Sequence, residues 1–422
     1  MIERTINHPK TCNAGDGASR DKLRSAPGRS PEPISSPAPF PGERAYFEKR
    51  TVTGEEATEY YFTAAPGRGS GIESQVSDFF RRIRRDLEPS GAWIMSERIY
   101  CTRTMIHDIN RLRTVAYRGW EEEMQPVYLV TPDDRGVAFT GMQVHAVAAA
   151  ERPVVLRCQN SACCARLLHG RDRSWLTISG LSDVHGRIPK IADARSIFER
   201  AESILKWAGG SLRDIARTWF WFGDIDRTYV QFNRIRNEFF TRRGLIDPAT
   251  NQSRLPASTG IGIRAAGSVE TALDLVAVIG GENPIRFVET GGDQNSPRHY
   301  GVSFSRATVA QMPAGRTIFV SGTAALDGDG RTEATNHVYA AITHVRSILR
   351  ELNCGDEDVL SATIYCANSE TENEFRECWG DLAWPRVVVP ARICRTGLTF
   401  EIEVTARPSS GQMAARAVAL QH

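Results

Sequence analysis

Apolar and polar positions along the chain run through the same order of periods three times. Stretches alternating with period two, which mark strands, are followed by stretches with three- and four-residue spacing, which mark helices. The first copy predicts a strand over Tyr60–Ala65, a helix over Ser74–Leu87 and a strand over Trp93–Thr102. A helix near Ile106–Trp120 and strands Val127–Thr131 and Val137–Ala148 complete it. The second predicts Trp175–Gly180, Ala194–Ala208, Ile215–Phe222, Tyr229–Phe240 and a closing strand around Ala272–Ile279. The third predicts Ile318–Gly322, Glu333–Leu352, Val359–Ala367, Glu372–Leu382 and a final stretch, Ala391–Ala406. Repeats of this length are several-fold longer than solenoid units. They predict three copies of one small α+β unit packed sheet against sheet.

Between the copies the pattern fades. Residues 1–55 are rich in Pro, Ser, Gly and charge, too poor in apolar surface to offset ordering entropy, so a disordered tail is expected there. The folded units are then expected at 56–150, 172–280 and 298–410. The polar, Gly-rich stretch Gly280–Arg298 is read as a long loop. In the third copy Val338, Ile342, Val345, Leu349 and Leu352 recur at helical spacing and belong to the core.

Composition narrows the function classes. The 422 residues carry a net charge of +2, with 41% apolar and 24% charged residues. That balance predicts no nucleic-acid partner. The run Arg81–Arg85 lies on a helix whose apolar stripe is Phe80, Ile83 and Leu87, and reads as a solvated face. Nine irregularly spaced cysteines fit reduced thiols better than a disulfide framework. Cys158, Cys163 and Cys164 lack the paired spacing of a zinc site. No apolar run approaches membrane-spanning length, and no hydrophobic signal core opens the chain, so a cytoplasmic protein is expected. Walker A, HExxH, GxSxG and complete GxGxxG motifs are absent, and neither metal nor cofactor is expected.

The chemistry gathers late in the chain. In Leu398–Val404 alternation sets Phe400, Ile402 and Val404 on one face and Glu401 and Glu403 on the other. Arg392, Cys394 and Arg395 precede a turn at Thr396-Gly397, which predicts a hairpin carrying thiol, cations and carboxylates together. A carboxyl covered there by a neighbouring copy has a raised pKa and suits a general acid. Three further segments stand out: Arg217–Trp221 with Phe232–Arg236, Pro256–Gly262, and Tyr300–Ala307.

Taken together, these residues resemble a known family. Val320–Ala324, Pro390-Ala391-Arg392 and Glu401–Ala406 resemble the Rid (YjgF-like) superfamily, whose members are trimers with sites at subunit clefts. Trp219 with Asp224-Ile225-Asp226, Phe232-Asn233 with Arg236, Pro256–Gly262, Tyr300 with Ser303–Ala307, and Cys394-Arg395 before Glu401 resemble its chorismatase branch. The resemblance covers roughly residues 172–406. It implies three tandem Rid-like (chorismate-mutase-like) units forming an intrachain pseudo-trimer, with one active cleft between copies two and three. A single chain with three units is expected to be a monomer.

The activity it implies is cofactor-free cleavage of the enolpyruvyl ether of chorismate, or of a related cyclic carboxylate, releasing pyruvate. Glu401 resembles the catalytic acid and Cys394 the active-site cysteine. Arg217, Arg306 and Arg395, with Tyr300, are the candidates for gripping the substrate's carboxylates. Ala307 falls where the resemblance places a small residue that steers product type. Two positions depart from the pattern: Ala367 stands where an arginine is usual, and Ile235 replaces a glycine. One carboxylate clamp is therefore expected to be missing. The other readings are a Rid-type imine deaminase, with Arg392 as its carboxylate clamp, and a catalytically silent binding protein.

Overall fold

A computed structural model describes residues 45–408, apart from 69–70, 134–135, 158–163, 183–192 and the single positions 251, 269 and 334. Cys158 and Cys163 lie outside the described residues, as do residues 1–44 of the expected tail. The folded part begins earlier than the pattern predicts. Residues Tyr46–Thr53, assigned above to the tail, form strand β1, because Tyr46 and Val52 turn inward while Lys49 and Thr51 stay at the surface.

The first unit contains β1, β2 (Ala57–Ala65), α1 (Ile72–Leu87), β3 (Trp93–Cys101), α2 (Ile106–Tyr117), β4 (Val127–Val130) and β5 (Phe139–Ala149). The second contains β6 (Val154–Arg157), β7 (Cys164–His169), β8 (Arg173–Ser182), α3 (Asp193–Trp207), β9 (Ile215–Phe222), α4 (Ile225–Arg242), β10 (Ala257–Ile261), β11 (Arg264–Ala265) and β12 (Thr271–Gly280). The third contains β13 (Ile285–Val288), β14 (Ala307–Met312), β15 (Gly315–Ala324), α5 (His337–Glu351), β16 (Val359–Cys366), α6 (Ser369–Trp379), β17 (Arg386–Pro390) and β18 (Phe400–Ala406). The stretch expected as a loop over 280–298 thus holds β13, paired antiparallel to β14. The helix expected from Glu333 begins at His337, because Asn336 takes a left-handed conformation (φ 60°) that a helix interior excludes.

Three six-stranded mixed sheets result, in the orders β1-β2-β5-β3-β4-β11, β10-β9-β12-β8-β7-β6 and β13-β14-β15-β18-β16-β17. β11 leaves the second unit and closes the first unit's sheet, pairing Arg264 with Val130 and Ala265 with Leu129. Each sheet buries one face under its own pair of helices. In the second unit Phe198, Phe220, Phe232, Phe239 and Phe240 form that layer, with ring centroids 4.7–5.8 Å apart for the contacts of Phe198 and for Phe220–Phe232. Each buried ring of this kind contributes about 1.5–3 kcal/mol. The opposite faces of all three sheets meet in one central core that includes Tyr100, Trp219, Trp221, Phe319 and Tyr365.

The units are joined by a ring of polar contacts, each reaching across to a neighbour. On β18, Glu403 of the third unit accepts hydrogen bonds from Arg217 Nη2 (2.6 Å) and Trp219 Nε1 (2.9 Å) of the second. On β12, Asp274 of the second accepts from Arg98 Nε of the first (2.9 Å). On β5, Gln143 of the first donates to the Ala362 carbonyl (2.9 Å) and accepts from Thr363 Oγ1 (3.0 Å) of the third. Strand pairing shows these three to be equivalent: Glu403 faces Thr363, Asp274 faces Trp219 and Gln143 faces Arg98. The molecule is a trimer-like ring written in one chain, with a pseudo-threefold arrangement of three α+β units. Among the described residues no helix is long and apolar enough to cross a membrane.

Candidate active site

The same pairing shows where the three seams differ. Two residues before each polar contact stand Glu401, Ala272 and Gly141, opposite Tyr365, Trp221 and Tyr100. Only the seam between units two and three carries an acid there. The Gly141 seam is packed shut, since a Cβ on Gly141 would lie 2.8 Å from Val387 and 2.7 Å from the Ala64 carbonyl. Around Ala272, Trp221, Leu129, Ile263 and Ala265 join one apolar cluster.

Beside Glu401 lies a cleft lined by Tyr229, Arg236, Ser258 and Gly260 of the second unit. From the third come Tyr300, Phe304, Arg306, Gly322, Cys394 and Arg395. Glu401 is 4% exposed, and its carboxyl has no hydrogen bond or ion pair to any described residue. Burial, then the charge of Glu403, pushes its pKa up to about 8, and Arg217 only partly opposes the shift. The carboxyl therefore holds its proton at neutral pH. Its seat is shaped by Gly322, where a Cβ would come 2.0 Å from Glu401 Oε1.

Three guanidinium groups share this cleft without a carboxylate partner among the described residues. Arg236 is 3% exposed and donates to Asn233 Oδ1 at 2.6 Å, while its Nε is buried with no hydrogen bond. Arg306 is 1% exposed and spends Nε and Nη2 on one carbonyl, that of Asn295, at 3.1 and 2.9 Å. Arg395 donates to the Gly330 carbonyl at 2.5 Å and stacks 4.7 Å from the Tyr300 ring centroid. Burial lowers the pKa of Arg236 and Arg306, but a guanidinium stays charged at neutral pH. A cleft with three cations and a neutral acid attracts anions.

Of the residues singled out in the sequence, Glu401, Cys394, Tyr300, Arg306 and Arg395 meet in this cleft. Two do not. Arg217 lies behind the wall, its Nη2 held by Thr259 Oγ1 and Glu403 Oε2 at 2.6 Å each. Burial holds its pKa down to about 10. Ala307 is fully buried in the third unit's helix-facing core with Ile318, Val320 and Val338. Ala307 opens β14 opposite Val320 and joins that core, whereas Arg306 stands in the bend just before the strand and lines the cleft. The predicted hairpin is also absent. β17 pairs parallel to β16 at the sheet edge, and 391–399 is a connecting loop that carries Cys394 and Arg395 across to the central strand β18. The turn at Gly397 (φ 92°) lies in that loop.

Two further cleft residues, not among the candidate site residues named from the sequence, are Arg236 and Tyr229, about two turns apart on α4. That helix starts at Asp224, whose side chain accepts from Arg227 N at 3.2 Å. The signal for Arg236 was present as an arginine four residues after Phe232. Tyr229 lines the cleft with Cys394, whose pKa burial and then the charge of Glu401 push up to about 12. Cys394 is thus a thiol at neutral pH, not a thiolate. Arg392 is exposed and is not among the residues that line the cleft. Among the described residues no group of three or more His, Cys, Asp or Glu could hold a metal ion.

Residues 301–407 match the family profile described as Endoribonuclease L-PSP. The chain has the fold of a chorismatase of known structure, with a TM-score of 0.55 and 18% identity over 85% of this chain and 99% of that one. A YjgF-family protein from Neisseria meningitidis is 23% identical over 30% of this chain and 96% of its own, with a TM-score of 0.24. A member of the YjgF/YER057c/UK114 family from Mycobacterium tuberculosis is 19% identical over 29% of this chain and 98% of its own, with a TM-score of 0.23. Among curated proteins none matches the sequence.

Proposed function

We propose that the cleft between units two and three binds a cyclic carboxylate bearing an enolpyruvyl ether, chorismate or a close relative, and cleaves it to pyruvate and a ring alcohol. The observation that carries this reading is the coexistence of one protonated, unpartnered carboxyl, Glu401, with three acid-free arginines in a single cleft. The fold shared with a chorismatase supports it. Arg236, on the second unit, and Arg306 with Arg395, on the third, hold the substrate carboxylates by charge-assisted hydrogen bonds. Arg236 takes the place of the clamp missing at Ala367.

Glu401 delivers its proton to the methylene carbon of the enol ether, and an oxocarbenium ion forms at the ether carbon. The new carboxylate stabilises that cation electrostatically. Water, or a hydroxyl of the ring, adds to the cation and returns a proton to Glu401. With water the hemiketal so formed breaks its C–O bond to the ring, giving pyruvate and the alcohol. One water is consumed and the acid is regenerated. Cys394 stays a thiol and shapes the cleft beside Tyr229. Arg217 and Glu403 form the fixed wall behind the acid.

The test is pyruvate release from chorismate by the purified protein, with Glu401→Gln alongside. A general acid contributes about 10²–10⁴-fold, so the variant is expected to lose at least about 100-fold. An equal rate in the variant, or no pyruvate from chorismate or from related enolpyruvyl ethers, overturns the proposal.

A further inference from the structure

Thr259 lies on β10, 1% exposed, and does not line the cleft, yet its hydroxyl joins Arg217, Glu403 and the Gly322 peptide behind the acid. Its Oγ1 accepts from Arg217 Nη2 at 2.6 Å and from the Gly322 backbone N–H at 3.0 Å, and donates to Glu403 Oε2. A threonine hydroxyl has one donor and two acceptor sites, so all of its capacity is in use.

The bond to Gly322 has a particular reason. The pairing of β15 with β18 slips between Val320 and Thr323, leaving Gly322 in a bulge outside the ladder. Its N–H has no strand partner there, and a buried orphan donor is costly. Thr259, from the neighbouring unit, satisfies it. Gly322 is also the residue against which the Glu401 carboxyl lies, as the 2.0 Å approach of a notional Cβ shows. The chain of contact therefore runs from Thr259 to the Gly322 peptide and on to Glu401, across the boundary between two units.

We infer that Thr259 is a positioning residue for the acid: its hydroxyl fixes the Gly322 bulge on which the Glu401 carboxyl rests and, through Glu403 and Arg217, the wall beside it. This rests on the proposed reaction, in which Glu401 is the proton donor. The hydroxyl sits outside the cleft and touches no substrate, so its effect falls on the chemical step and not on binding.

The experiment compares Thr259→Val, which keeps shape and loses the hydroxyl, with Thr259→Ser, which keeps it. Thr259→Val is expected to lower kcat about 10- to 100-fold with KM within about threefold, and Thr259→Ser to keep kcat within about threefold. In a Glu401→Gln background Thr259→Val is expected to add nothing, because the positioned group is gone. A rise in KM with kcat unchanged, a loss in Thr259→Ser equal to that in Thr259→Val, or a further loss in the Glu401→Gln background overturns the inference.

A second measurement needs no substrate. The carbonyl band of protonated Glu401, identified by infrared difference against Glu401→Gln, is expected to shift in frequency or titration midpoint in Thr259→Val and to stay in place in Thr259→Ser. If wild type releases no pyruvate while the band shows this pattern, the proposed reaction falls and the positioning role stands. If the band is unmoved in both variants, the positioning role falls whatever the activity.

Discussion

Glu401 and Glu403 stand two residues apart on one face of β18, and only Glu403 is hydrogen-bonded. Four donors from three strands converge on it: Arg217, Trp219, Thr259 and the Tyr365 hydroxyl at 3.3 Å. Glu401 has none among the described residues, and the charge beside it helps keep it protonated. A buried carboxyl set beside a second, charged one is an arrangement by which proteins obtain a neutral acid at neutral pH.

That pair predicts the pH profile. With Glu401 at about 8, kcat for pyruvate release is expected to be flat below about pH 7. Above about pH 8 it should fall with a slope of one decade per unit. A stopped-time pyruvate assay from pH 5 to 10 checks this. A profile falling instead through the ordinary carboxylate range would place the acid elsewhere.

Stability should carry the same signature without any substrate. The folded pKa of Glu401 lies above its unfolded value of 4.5, so the native state holds the proton more tightly. The contribution of that proton is fully present below about pH 4.5 and is lost as the pH rises through about 8. The difference in Tm, Glu401→Gln minus wild type, is therefore expected to grow between those limits and level off above them. A constant difference across the range would mean that Glu401 is not desolvated.

Arg236 is the arginine whose role separates binding from scaffolding. Arg236→Ala is expected to raise KM about 10- to 100-fold, the worth of one charge-assisted bond, with Arg236→Lys recovering only part, because a point charge cannot replace a planar fork. Arg217→Ala, by contrast, leaves Glu403 buried without its ion-pair partner. It should lower stability by about 3–5 kcal/mol. Steady-state kinetics and urea titration of both variants separate the two outcomes.

Cys394 is expected to act without becoming a nucleophile. At about 12 its thiolate fraction at pH 7 is on the order of 10⁻⁵. Cys394→Ser should retain kcat within about tenfold, and intact-mass measurement during turnover should show no covalent adduct. An adduct on Cys394, or abolished activity in the serine variant, would contradict the thiol's passive role.

Much of this architecture is written plainly in the sequence. The long amphipathic helices and central strands follow from spacing alone, as Val338 through Leu349 on α5 and Phe400, Ile402 and Val404 on β18 show. The outer strands β1, β6 and β13, with their neighbours β7 and β14, are not predicted; in β1 the half-buried Phe47, Glu48 and Arg50 blur the alternation. The loop 391–399 looked like half a hairpin because its residues are adjacent to β18, whereas β17 finds its partner through a parallel pairing set by the whole sheet. Glu401 could be named from alternation, but its desolvation comes from tertiary packing. The choice between Arg217 and Arg236 likewise depends on which one Glu403 claims, a matter of tertiary contact. Ala307 is a similar case: it opens β14 opposite Val320, and that pairing turns its side chain into the core.

The excursion of β11 gives the first unit, which has Gly141 where the third has Glu401, a part in the site. β10, which carries Ser258, Thr259 and Gly260, runs on through Gly262, bridged to Arg392, into two residues that complete the first unit's sheet. The cleft wall is thereby moored at its far end to a different unit. A ribosome must deliver residue 265 before the first sheet gains its last strand, so the edge of β4 waits open through the synthesis of most of the second unit. The first sheet thus closes only shortly before β12 completes the second, and separating the two units would leave both a raw sheet edge and an unanchored cleft wall.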